Sequence, residues 1–319
     1  MTHKIKLGAL ALIISSTLFT ACSKDDDPVT TDNTIAGKVI NTSDFSTLEE
    51  AMNKANLQTT LRGAGPFTVF APDNAAFAAS GITPAVLNSL TTAQTASILL
   101  YHTLPAEVMA ANVPAGPNAK VITASGDSVF VTRNASGVYV NGIAVTQADI
   151  DATNGVIHKI GRVLIPASGD LVETAQEPAN GLDSLVKAVV RANNTLGGDP
   201  NLIAALQTGT LTVFAPTNAA FTEVLNALSL TDINDIPIAT LTAVLKYHVV
   251  GGRAFSSDLA NGQVTMLAGG NTTVNLTNGS GGGPTITGTG NGANRSNIVA
   301  TNIMATNGVV HVIDRVLLP

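Results

Sequence analysis

Four histidines lie beyond the first thirty residues: His102, His158, His248 and His311. Near neutral pH an imidazole can shuttle a proton, and in its neutral form it can ligate a metal. His102 and His248 each follow a tyrosine, Tyr101 and Tyr247, and apolar residues precede both pairs (Ile98 and Leu99; Val244 and Leu245). That setting suits a buried imidazole bonded to backbone, with an aromatic packed beside it. A metal shared by His102 and His158 would lack any short ligand spacing, so no metal site is expected. Nucleophile and phosphate motifs fail on inspection. There is no Gly-x-Ser-x-Gly elbow, and Gly279-Ser280-Gly281 has Asn278 where the first elbow glycine belongs. Gly288-Thr-Gly290-Asn-Gly292-Ala293 is a shadow of a dinucleotide fingerprint, with its last glycine displaced. These residues predict no catalytic residue and no cofactor.

The elements that hold these residues come from a chain of 319 residues and 32.4 kDa, the length of about two domains. Hydrophobic residues make up 45% and charged residues 12%, which excludes a disordered polyelectrolyte. The formal charge of −6 gives no attraction to phosphate backbones, so nucleic acid is not an expected partner. Trp is absent and aromatics total 4%, which disfavours a site built on large stacking platforms. The single cysteine, Cys22, excludes an intramolecular disulfide.

Self-comparison is the most informative operation on this sequence. Phe67-Thr-Val-Phe-Ala-Pro-Asp-Asn-Ala-Ala-Phe77 recurs as Leu211-Thr-Val-Phe-Ala-Pro-Thr-Asn-Ala-Ala-Phe221, identical at nine of eleven positions. Tyr101-His102 recurs as Tyr247-His248. Asn154-Gly-Val-Ile-His-Lys-Ile-Gly-Arg-Val-Leu-Ile-Pro166 recurs as Asn307-Gly-Val-Val-His-Val-Ile-Asp-Arg-Val-Leu-Leu-Pro319, matching at nine of thirteen. The offsets of 144, 146 and 153 residues are domain-sized. All four histidines occupy repeated positions, which suggests a demand of the fold made twice. The copies meet at Ala167-Ser168-Gly169, a linker short enough to restrict the angle between them.

Phe45, Leu48, Met52 and Ala55 fall at helical spacing, and Ser46 with Glu49 resembles a capping box. Leu182, Leu185, Val186 and Val189 repeat the pattern. A second helical stretch runs from Thr83 to Tyr101. Val129/Val131 and Val138/Val140 alternate as strands, and Asn141-Gly142 signals a hairpin turn. Thr-Val-Phe reads as a buried strand ended by Pro72 or Pro216. Asn74 and Asn218 suit a helix N-cap, and Gly155 and Gly308 a turn of positive φ. The Gly-, Asn- and Thr-rich stretch from Gly269 to Asn294 reads as an insertion between strands. Helices first and strands later argue an α+β class.

These blocks, in this order and present twice, resemble the fasciclin domain over Ile35–Pro166 and Asp170–Pro319. The resemblance implies two tandem α+β domains, each a wedge-shaped β-sandwich flanked by α-helices. It also implies adhesion or interaction at the cell surface, usually without catalysis. In the family the Tyr-His segment has been proposed as an adhesion motif, which marks Tyr101, His102, Tyr247 and His248 as candidates. An Asp-Ile pair before the Asn-Gly block is linked to receptor binding in some members. Here it is Asp149-Ile150, while the second copy has Asn302-Ile303 and lacks the carboxylate.

Met1–Ala21 has signal-peptide anatomy: Lys4 and Lys6, then an uncharged apolar run from Leu7 to Thr20. Phe19-Thr20-Ala21-Cys22 resembles a bacterial lipobox, with Phe19 where Leu is usual. It implies cleavage before Cys22 and lipid attachment to it, hence membrane association through acyl chains. Residues 22–34 form a polar tether. Its Ser23-Lys24-Asp25-Asp26-Asp27 looks like the acidic signal that sends some lipoproteins to the outer face of the outer membrane. The leading expectation is a non-catalytic, outward-facing lipoprotein of the outer membrane that binds a protein or polysaccharide at the cell surface. The alternative is an envelope scaffold or accessory subunit of a nutrient-uptake complex. An enzyme or ligand carrier would need a closed pocket with convergent polar groups.

Overall fold

The computed structural model of the protein describes residues 31–319. The expected signal peptide, Cys22 and the expected acidic signal lie outside the described residues. Among the described residues, no helix is long and apolar enough to cross a membrane.

The first repeat opens with three short helices, α1 (Ile35–Ile40), α2 (Ser46–Lys54) and α3 (Gln58–Arg62). Strand β1 (Phe67–Pro72) follows, then α4 (Asn74–Ala79), α5 (Pro84–Ser89), α6 (Thr92–Tyr101) and β2 (Thr103–Leu104). Five strands finish it: β3 (Gly116–Ile122), β4 (Ser128–Asn134), β5 (Gly137–Val140), β6 (Ile143–Ala152) and β7 (Gly155–Ile160). The second repeat runs α7 (Leu171–Gln176), α8 (Asp183–Asn194), α9 (Leu202–Thr208), β8 (Leu211–Pro216), α10 (Asn218–Ala227), α11 (Ile238–Lys246) and β9 (Val249–Gly251). It ends with β10 (Gly262–Thr265), β11 (Asn271–Asn275), β12 (Thr285–Gly288), β13 (Ser296–Ala305) and β14 (Gly308–Ile313).

Each repeat forms one seven-stranded sheet with the same order: β2-β1-β7-β6-β5-β4-β3 and, in mirror listing, β10-β11-β12-β13-β14-β8-β9. All pairings are antiparallel except the central ones, β1 with β7 and β8 with β14. The sheet folds over on itself, because Phe70 of β1 and Ile160 of β7 share a cluster with Val129, Val131 and Val140 of β4 and β5. On the other face of β1, Val69 and Ala71 pack against Leu48, Met52 and Leu99 of the helices. A strand covered on both faces is nearly continuously apolar, as Phe-Thr-Val-Phe-Ala-Pro is, with Thr68 its one polar side chain and buried as well. The hairpin turn forms as expected: Val140 pairs with Ile143, and Asn141 and Gly142 take φ of 47° and 72°.

Several local expectations need correction. Ser46 forms no capping box, because a short 3₁₀ turn (Ser43–Phe45) runs into α2. Asn74 and Asn218 do not cap their own helices; Asp73 and Thr217 do, accepting from Ala76 N and Ala220 N. Instead each asparagine reaches back to the first turn of α2 or α8, accepting from Thr47 N or Ser184 N at 2.9 Å. The Thr83–Tyr101 stretch is broken at Leu90-Thr91, where Thr91 starts a new helix with a capping box to Gln94. Gly155 has the expected positive φ of 148°, but Gly308 does not. The shared constraint is close approach: a Cβ would stand 2.0 Å from Phe67 O at Gly155 and 2.3 Å from Leu211 O at Gly308. Gly269–Asn294 is not a plain insertion, since it supplies β11 and β12, whose Thr272, Val274 and Ile286 alternate into the core.

Candidate functional site

The Tyr-His pairs close helices α6 and α11, and the last turn directs all four side chains inward. Tyr101 and His102 are 1% exposed, Tyr247 and His248 2%. The Leu164 N–H donates to His102 Nε2 at 2.9 Å, so Nδ1 carries the proton and donates to Ile98 O at 2.7 Å. The second copy repeats this with Leu317 N and Val244 O at the same distances. Each imidazole thus ties the end of a helix to the segment after the last strand. Burial pushes both down to about 4, which keeps them neutral. The Tyr101 hydroxyl donates to Ser128 O at 3.0 Å and accepts from Asn141 Nδ2 at 3.0 Å, and burial pushes it up to about 12. No partner can reach these four side chains in the folded domain, so they are not contact residues.

His158 and His311 use the opposite tautomer. Each Nδ1 accepts a backbone N–H, from Asp149 at 3.1 Å or Asn302 at 3.4 Å. Each Nε2 then donates to a loop carbonyl, Val108 O at 2.8 Å or Ala254 O at 2.9 Å. Phe70 and Phe214 lie against these rings, with centroids 5.8 and 5.5 Å apart. All eight ring nitrogens are therefore occupied by backbone, which leaves none for proton transfer or a metal. Among the described residues, no group of three or more His, Cys, Asp or Glu could hold a metal ion.

Asp149 and Asn302 sit at matching bulges of β6 and β13, in the left-handed region with φ of 57° and 63°. Asp and Asn tolerate that conformation better than other side chains. Asp149 Oδ1 accepts from Ala110 N at 2.9 Å, and Asn302 Oδ1 from Ser256 N at 2.8 Å. The bond needs an oxygen, not a charge, which explains the exchange of carboxylate for amide between copies. Asp149 remains exposed and open to contact, whereas Ile150 is half-buried against the helical core.

A polar and aromatic assembly joining the two repeats was not legible in the sequence. A loop of the second repeat, Arg253–Asp258, seats on the outward face of β3 and β4 in the first. Phe255 is fully buried, 6.0 Å from the Phe130 ring, and the Arg253 guanidinium lies 4.3 Å above that ring. Asn118 Nδ2 donates to Arg253 O at 2.6 Å and to Asp258 Oδ2 at 3.1 Å, and Asn134 Nδ2 to Ser257 O at 3.3 Å. Arg253 also donates to Ala305 O and Thr306 O, each at 3.0 Å, and to Gly308 O. The one available signal was a difference between copies. Thr68 and Thr212 bracket the two loops identically, through Ala106 O and Val108 N or Gly252 O and Ala254 N. That places Glu107, Met109 and Asn112 where the second copy has Arg253, Phe255 and Asp258.

Comparison with known proteins agrees with the repeat. The sequence model of the fasciclin domain matches residues 43–166 and 185–319. Protein sll1483 of Synechocystis is 40% identical over 124 residues, covering 38% of this chain and 67% of that protein. Transforming growth factor-beta-induced protein ig-h3 of Sus scrofa is 35% identical over 136 residues, covering 43% of this chain and 20% of its own length. The chain thus spans about two-thirds of the first relative and a fifth of the second. A solved FAS1 domain pair from the insect cell adhesion molecule fasciclin I covers 87% of this chain and 97% of its own, at 17% identity and a TM-score of 0.40. Fasciclin domains are typical of cell-adhesion proteins and generally non-enzymatic. Two matches to the domain model, covering most of the chain, and one topology built twice place this protein in the fasciclin domain family, with two copies of the domain in tandem.

Proposed function

We propose that this protein is a non-catalytic adhesion or interaction lipoprotein. It is held by a lipid on Cys22, faces the exterior from the outer membrane, and binds a protein or polysaccharide at the cell surface. The observation that carries the reading is the use made of its reactive side chains. The four imidazoles and the Tyr101 and Tyr247 hydroxyls are bonded to their own backbone in both copies, so the repeat supports a scaffold for contact rather than a centre for chemistry. Contact then falls to exposed positions such as Asp149.

The test is protease shaving of intact cells with a periplasmic marker as control. Cleavage of the protein while the marker survives is the expected result, and binding to cells, matrix and glycans is then measured with the purified protein. Protection until the outer membrane is broken would overturn the outward orientation and favour the envelope-scaffold alternative.

A further inference from the structure

The outward face of β10–β12 in the second domain has a counterpart in the first that is already an interface. The Tyr101 hydroxyl donates to Ser128 O and the Tyr247 hydroxyl to Asn271 O, which puts β4 and β11 in register. Phe130 then corresponds to Thr273, and Thr132 to Asn275. In the first domain this face carries the Arg253–Asp258 loop, but in the second Gln263, Asn271 and Thr273 are exposed. Strand pairing sets Gln263, Thr273 and Thr287 in one row across three strands. With Asn275 and Arg295 they line a cleft of about 600 Å³.

A second copy of the chain does not fit there. Its free loop would offer Glu107 and Met109 in place of Arg253 and Phe255, against Thr273 in place of Phe130. Both the cation–π contact and the aromatic pair that hold the existing interface would be missing. A protein partner is disfavoured on the same ground, because the cleft has no aromatic or large apolar anchor. What it offers is hydrogen bonding, with no carboxylate and with Arg295 as its one charged side chain. Among the described residues, the Thr273 and Thr287 hydroxyls, Gln263 Nε2 and Asn275 Nδ2 donate to no protein group, and the strand spacing of about 4.8 Å sets them out as a regular array.

We propose that this face binds a neutral polysaccharide, held by hydrogen bonds from Gln263, Thr273, Asn275 and Thr287 rather than by aromatic stacking. The proposal rests on the reading of the protein as a surface interaction module and names its partner class. The test is native affinity electrophoresis of the purified protein in gels containing dextran, laminarin, yeast mannan or arabinogalactan, with heparin as the anionic comparison. The expected result is retardation by at least one neutral polymer. The double variant Thr273→Ala/Thr287→Ala should weaken it tenfold or more at an unchanged melting temperature. No retardation by any neutral polymer, or equal retardation of the variant, overturns the proposal. So does retention by heparin alone that is lost in Arg295→Ala. Binding of the same proteins to intact cells separates the two readings. Cell binding without polysaccharide retardation sinks this site and leaves the surface role standing, and loss of both sinks the two together.

Discussion

The two copies differ beneath their first helix, and the difference sets up a reciprocal swap. Ile35 N and Leu171 N are both bound by the asparagine of the last turn, Asn154 or Asn307, and Thr47 N and Ser184 N by Asn74 or Asn218. These bonds align Val39 with Ala175 and Met52 with Val189. Val39 and Met52 are each 1% exposed in a filled core. Their smaller counterparts border a cavity of about 50 Å³ between α7, α8 and α9, lined also by Val172, Val186, Leu202 and Leu206. At ~24 cal/mol per Å³, complete filling of 50 Å³ is worth about 1.2 kcal/mol. Val189→Met fills part of the space with the residue that the first copy uses, so about 0.5–1 kcal/mol is expected. For a domain of this size that raises the melting temperature by about 1–4 °C. Met52→Val in the first domain opens the matching void and costs about 1 kcal/mol. Differential scanning calorimetry of the purified protein reads both. A Val189→Met variant that melts lower, or a Met52→Val variant that melts unchanged, would refute the alignment and the packing argument built on it.

Acid should weaken each domain before its carboxylates titrate. His102 and His248 are held down to about 4 in the native state, whereas an unfolded histidine titrates near 6.5, so the unfolded chain takes up protons first as pH falls. Their contribution is complete above about pH 6.5 and is lost as pH falls toward 4, on the order of 2 kcal/mol each by pH 5; urea midpoints that stay level between pH 7.5 and 5 would contradict this. Asp149→Asn keeps the acceptor for Ala110 N, as Asn302 does for Ser256 N, and should leave stability within about 0.5 kcal/mol. If Asp149→Asn nonetheless abolishes cell binding, the carboxylate is a contact; unchanged binding discards it. Arg253→Ala removes the stack on Phe130 and three carbonyl bonds, and should cost about 1–3 kcal/mol and separate the two domains' unfolding transitions. A single undivided transition of unchanged midpoint would show that the loop does not couple them.

What could be read from the sequence was whatever the chain says twice. Phe70 and Phe214, Tyr101 and Tyr247, and the four histidines stood out because both copies need the same buried bonds. Their roles were harder to read, because Tyr-His looks alike whether the side chains face a partner or the core. The asparagines show the limit most clearly. Asn74 follows a proline-ended strand and precedes a helix, which is where a cap belongs, yet its side chain serves Thr47, 27 positions earlier. A bond of that span leaves no local trace. The docking loop was invisible for the opposite reason. Arg253, Phe255 and Asp258 break the repeat, and a search for repetition passes over what only one copy has.

The strand order carries a consequence for how each domain is made. β7 and β14 are the last strands of their domains, yet each lies in the middle of its sheet, between the first long strand and the penultimate one. During synthesis the core of each domain stays open until its final dozen or so residues emerge, because β1 has no parallel neighbour before then. The same order makes the C-terminal strand the most damaging place to shorten either domain: a cut there removes the centre of the sheet, where a cut at an ordinary terminus would only fray its edge.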